Sequence, residues 1–81
     1  MTGEEVVERL KRRFQLGSKP ELRLALYHRL GQLVDDVGEP ALYVITEVAA
    51  DAAGRDKPGN YFAFVVMRRL IERRIIKVPD L

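Results

Sequence analysis

Ser18-Lys19-Pro20-Glu21-Leu22-Arg23-Leu24-Ala25-Leu26-Tyr27-His28-Arg29-Leu30-Gly31-Gln32-Leu33-Val34-Asp35-Asp36-Val37-Gly38 is the stretch whose reading decides the fold. Its opening carries a serine cap, a proline within the first turn and a glutamate three residues after the serine, which together start a helix. Leu22, Leu26, Tyr27, Leu30, Leu33, Val34 and Val37 then recur at helical spacing and form a broad apolar arc, and Gly38 closes the segment. The pattern predicts a helix over 19–37. Gly31 inside it should cost roughly 1 kcal/mol relative to alanine, so a close helix crossing or a bend is expected there.

Working toward the N-terminus, Thr2 and Glu5 have the spacing of a capping box and Gly17 follows the last periodic residue. Val6, Val7, Leu10 and Phe14 fall on one arc, which predicts a helix over 3–16. Glu5 with Arg9 and Glu8 with Arg12 are i,i+4 pairs, and Lys11, Arg12 and Arg13 suit the C-terminal end of the helix dipole. These charges read most simply as a solvated face.

Toward the C-terminus, Glu39-Pro40 opens a third segment that Gly54 closes, predicting a helix over 40–53 with Leu42, Val44, Ile45, Val48, Ala49 and Ala52 on one side. Val44, Ile45 and Val48 alone would suit a strand, but the pattern does not alternate and the second half is rich in alanine. The turn-rich Arg55-Asp56-Lys57-Pro58-Gly59-Asn60 leads into a fourth helix over 58–76, and Lys77-Val78-Pro79-Asp80-Leu81 reads as an extended tail. The expectation is a single all-α domain over 1–81, a bundle of four helices with an extended C-terminal tail, up-and-down or orthogonal.

Composition agrees with one small domain. The chain has 81 residues, 47% hydrophobic and 32% charged, a globular balance with length for one core. It has no cysteine and a single histidine, so disulfides, thiolate chemistry and the usual zinc sites lack ligands. Charged residues at the N-terminus do not fit a signal peptide, and the longest apolar run, Tyr61 to Met67, falls far short of the roughly 20 residues a membrane span needs. A cytoplasmic protein is expected.

The net charge of +2 conceals a segregation. Residues 35–54 hold five acids, Asp35, Asp36, Glu39, Glu47 and Asp51, and no base; residues 55–77 hold seven bases against Asp56 and Glu72. On the fourth helix, projection sets Phe64, Met67, Leu70, Ile71 and Ile75 on one apolar side and Arg68, Arg69, Glu72 and Arg73 opposite, with Tyr61, Phe62 and Val65 earlier on that same arc. A basic helix beside aromatics can neutralise phosphates and stack on unpaired bases, which makes Arg55, Lys57, Arg68, Arg69, Arg73 and Arg74 candidate nucleic-acid contacts. Alternatively, Tyr61, Phe62 and Val65 form a partner-binding or homodimer contact. The plainest reading is that these three are buried because the start of the helix is covered on all sides.

Residues 49–76 resemble a known group. The alanine-rich helix, the Gly54-Arg55-Asp56-Lys57-Pro58-Gly59-Asn60 turn, Tyr61-Phe62 and the helix ending Arg74-Ile75-Ile76 look like helical segments of DnaD-type and plasmid-type replication-initiation proteins. Tyr61 followed by Val65 and Val66 matches their tyrosine with two aliphatics four and five positions on; Arg69 stands where they often carry tryptophan. The resemblance covers about a third of the chain, and it implies an accessory role in DNA replication, with DNA or partner-protein contact through the last helix and tail.

No catalytic apparatus is expected. His28 projects to the polar side of its helix with no second histidine, and Ser18, the only serine, is assigned to a cap. Asp35, Asp36 and Glu39 lack the alternating ligand spacing of a calcium loop, and Gly54 and Gly59 are too few for a phosphate loop. Neither a metal nor another cofactor is implied, and the function expected is that of a non-enzymatic nucleic-acid-associated or replication accessory module, or alternatively a protein-interaction module.

Overall fold

A computed structural model describes residues 1–77 of the chain. Its four helices are α1 (Gly3–Phe14), α2 (Pro20–Val37), α3 (Glu39–Ala52) and α4 (Pro58–Glu72). The fold is all-α, as the periodicity predicts. The expected tail from residue 78 onward lies outside the described residues.

α1 begins with the capping box. The Thr2 hydroxyl accepts from the Glu5 N–H at 3.2 Å, and the Thr2 N–H donates to the Glu5 carboxylate at 3.2 Å. That backbone donor, bound to the charged form, holds the Glu5 carboxyl below the ordinary carboxylate range. The helix stops two residues short of the expected end because Gln15 takes φ 58°, ψ −162°, a conformation in which the helical hydrogen-bond ladder cannot continue. The Gln15 carbonyl is turned to the buried Tyr27, whose hydroxyl donates to it at 2.8 Å. Tyr27 thereby enters the core with its polar end satisfied.

α2 and α4 start alike, and neither uses a side-chain cap. Lys19 at φ −125°, ψ 73° and Lys57 at φ −126°, ψ 82° hold the cap positions, each kept extended by the proline that follows. Ser18, expected as the cap of α2, therefore lies one residue too early. A single residue, Gly38, separates α2 from α3. At φ 87°, ψ −143° it donates its N–H to Val34 O at 2.8 Å and offers its carbonyl to Ala41 N–H at 3.1 Å, closing one helix and opening the next.

α4 ends at Glu72, four residues before the expected end. Arg74 adopts φ 59°, and its N–H bonds Ile71 O at 2.9 Å while the Ile75 N–H reaches back to Leu70 O at 3.0 Å. This is a Schellman motif with arginine at the left-handed position, and the half-buried Ile75 packs against the core beside the buried Leu70. No glycine marks this stop, which is why the periodic pattern runs past it.

α1 packs most extensively on α2, α3 on α4, and α2 on α3. α1 and α2 cross at Gly3 and Gly31, the close approach that the internal glycine predicts. Asp35, on the last turns of α2, accepts from the Gly3 N–H at 2.7 Å and so satisfies one of the open donors at the start of α1. α4 closes on α1 through Phe14 and Phe62, whose rings stack with centroids 4.7 Å apart. No helix of the described residues is long and apolar enough to cross a membrane.

Candidate interaction surface

The orientation of α4 decides what the domain presents. Phe62, Val66 and Leu70, at i, i+4 and i+8, are all fully buried and form the stripe that enters the core. Phe64 is 200° from Phe62 on an ideal helix and is 74% exposed. Projection sets Phe64 on the apolar side and Phe62 on the arc with Tyr61 and Val65; the burial of Phe62 is what the plainest reading of that arc expects, and the exposure of Phe64 corrects its placement. Phe62 is 0% exposed and stacked on Phe14, so it has no surface to offer a partner. Tyr61 and Val65 are half-buried against the core.

One flank of α4 faces α3, and there the segregated charges meet. Arg69 donates to Glu47 Oε1 at 2.7 Å, and Arg73 donates to the same oxygen at 3.0 Å. Nearer the start of α4, the Tyr61 hydroxyl donates to Asp51 at 2.6 Å, and the Arg55 guanidinium lies 4.3 Å from the centre of the Tyr61 ring while reaching the same carboxylate at 3.5 Å. The tyrosine hydrogen bond holds the Asp51 carboxyl below its ordinary value, and the bond to Asp51 in turn pushes the Tyr61 hydroxyl up. Acids from the 35–54 segment thus pair with bases from the 55–77 segment across the α3–α4 seam.

The six basic residues consequently divide. Arg55, Arg69 and Arg73 are engaged with α3 acids. Lys57, Arg68 and Arg74 are exposed and have no acidic group within 4 Å among the described residues. The segment is basic, but half of its candidate contacts are committed inside the domain.

The other flank of α4 faces the first half of α2 across an open groove of about 250 Å³ whose apolar lining is Leu22, Leu26 and Ala63 and whose polar lining includes Lys19, Arg23 and Asn60. Arg23 spans it, donating to Asn60 Oδ1 at 3.1 Å. Leu22 is 67% exposed. Phe64 follows Ala63 directly, and the Arg68 guanidinium sits 5.8 Å from its ring centre. Leu22 and Val37 belong to the apolar arc of α2 that the sequence assigns to the core; Tyr27, Leu30 and Val34 fill that core, and the outer edge of the arc stays in solvent.

Sequence reasoning missed Phe64 and Leu22 as exposed apolar residues, and one signal was available for the first. The line Phe62-Val66-Leu70 is apolar at every turn, whereas Phe64 is followed one turn later by Arg68. No such signal existed for Leu22. Among the described residues no cluster of three or more His, Asp or Glu side chains could hold a metal ion.

The fold and this surface define a small four-helix domain with an open groove, part apolar and part cationic, beside its last helix. Comparison with protein-family models, curated protein sequences and solved structures finds no match.

Proposed function

We propose that the domain is a non-enzymatic, cytoplasmic protein-interaction module that works through the α2–α4 face. The observation that carries this reading is the exposure of Leu22, which lines the α2–α4 groove, and of Phe64, which follows the groove residue Ala63 on α4, because large aromatic and aliphatic side chains left in solvent mark candidate contact surfaces. The contact residues shift accordingly from Tyr61, Phe62 and Val65 to Phe64, Leu22, Leu26 and Ala63. Selection from a randomised library of helical peptides tests it. Binders that lose affinity for Phe64→Ser and Leu22→Ser, both at exposed positions and both expected to keep full helicity, support the reading; binders indifferent to both substitutions overturn it.

A second reading, nucleic-acid binding, draws on a different observation: Lys57, Arg68 and Arg74 carry no acidic partner among the described residues, and Arg68 lies over the exposed ring of Phe64. That pair could stack on an unpaired base while the cations meet phosphates. Salt-sensitive binding to single- or double-stranded DNA or RNA, weakened by Arg68→Ala with Arg74→Ala, supports it; no binding to any such probe at low salt overturns it. An accessory role in DNA replication, which the resemblance of residues 49–76 implies, accommodates contact with either kind of partner.

A further inference from the structure

We infer that the segment received by the α2–α4 groove is an acidic amphipathic helix of another protein. This rests on the protein-interaction reading above and adds the chemistry of the partner. The groove runs between two helices, and its apolar lining is Leu22, Leu26 and Ala63, a surface suited to the apolar stripe of a third helix laid between them. Its charged members are Lys19 and Arg23, and no acid lines it. Glu21 lines the adjoining hollow, which shares Lys19 and Leu22 with the groove. Arg23 bonds the neutral Asn60 amide and keeps its full charge for a partner.

Those cations argue against a second copy of the chain. In a two-fold contact the same patch meets its own copy, so the Lys19 and Arg23 cations of one protomer would meet the equally cationic patch of the other, with no acid in the lining to offset them. A carboxylate-bearing helix reverses the sign of that interaction. A nucleic acid would satisfy the cations but leave the leucine lining without an apolar partner.

The experiment uses the full chain and three fluorescent probes: two helical peptides of about 18 residues, or five turns, with one shared leucine stripe and a polar face of either glutamate or lysine, and a single-stranded DNA oligonucleotide. The expected result is that the glutamate peptide binds at least about tenfold tighter than the lysine peptide at low salt, and that Lys19→Glu with Arg23→Glu reverses the order. Chemical-shift changes at Leu22, Leu26 and Ala63 locate the contact. Equal or tighter binding of the lysine peptide overturns the inference, and if Phe64→Ser still abolishes that binding the interaction reading survives without it. If neither peptide binds and library binders ignore Phe64, both fall. DNA that outcompetes the glutamate peptide at this face also overturns the inference.

Discussion

Gly31 lies so close to Gly3 that a β-carbon built on it would fall 2.6 Å from the Gly3 carbonyl oxygen and 3.0 Å from a methyl of Val7. The obstacle is helix backbone, which cannot swing aside as a side-chain end can. Gly31→Ala gains about 1 kcal/mol of helix propensity but forces α1 and α2 apart, and overpacking of this kind costs about 1–3 kcal/mol. A net loss of up to about 2 kcal/mol in urea-induced unfolding is expected, together with a weakened hydrogen bond from Gly3 to Asp35.

The pairing of Tyr61 with Asp51 gives the α3–α4 seam a pH window. The Asp51 carboxyl is lowered from its ordinary 3.8, so the contribution is complete above that value and is lost as pH falls through the folded-state pKa. The Tyr61 hydroxyl is raised from its ordinary 10.0, so the contribution is complete below that value and is lost as pH rises through the folded-state pKa. In Tyr61→Phe the Asp51 carboxyl is expected to titrate closer to its ordinary value. Carbon-detected NMR titration of Asp51 reads this directly, and an unchanged titration would remove the hydrogen bond from the account.

Arg74 sits at φ 59° at the end of α4, where glycine carries no steric cost. Arg74→Gly is expected to raise stability by about 0.5–1 kcal/mol, measured by thermal unfolding, whereas Arg74→Ala should not. The same glycine variant removes a cation that has no acidic partner among the described residues. Weaker nucleic-acid binding in a more stable protein would separate the two roles of this position.

Glu47 takes both Arg69 and Arg73 on one carboxylate oxygen. Glu47→Gln should cost only about 1 kcal/mol, the scale of half-exposed ion pairs. If the domain binds DNA, the variant is expected to bind more tightly and with a steeper salt dependence, because two further guanidiniums become free to meet phosphates. Filter binding at two salt concentrations checks it; unchanged affinity would mean that these arginines face only α3.

What the sequence disclosed depended on whether a local signal had a single physical reading. Thr2 and Glu5 admit only the capping box, and Gly31 in an otherwise strong helix admits little but a close approach, so both were legible. Helix ends were less so where no glycine stands: Gln15 takes a positive φ with its carbonyl turned to the distant Tyr27, and Arg74 takes one that lets the next residue, Ile75, pack against the core. The surface was legible only in part. Charge segregation was evident, yet a count along the chain could not reveal that Glu47 and Asp51 would turn toward Arg69, Arg73 and Arg55. On α4 the apolar residues outnumber the core positions, so Phe62 and Phe64 could exchange places in projection until the ring of Phe14 selected one of them.

Gly38 has a consequence for how this chain can change in length. Because one residue closes α2 and opens α3, there is no slack between them, and an inserted residue would turn α3 by about 100° relative to α2, carrying Val44 and Val48 away from the core. The stretches 15–19 and 53–57 have no such double duty. Insertions are therefore expected to be tolerated at those two connections and not at the third, which divides the molecule into a fixed elbow and two adjustable joints.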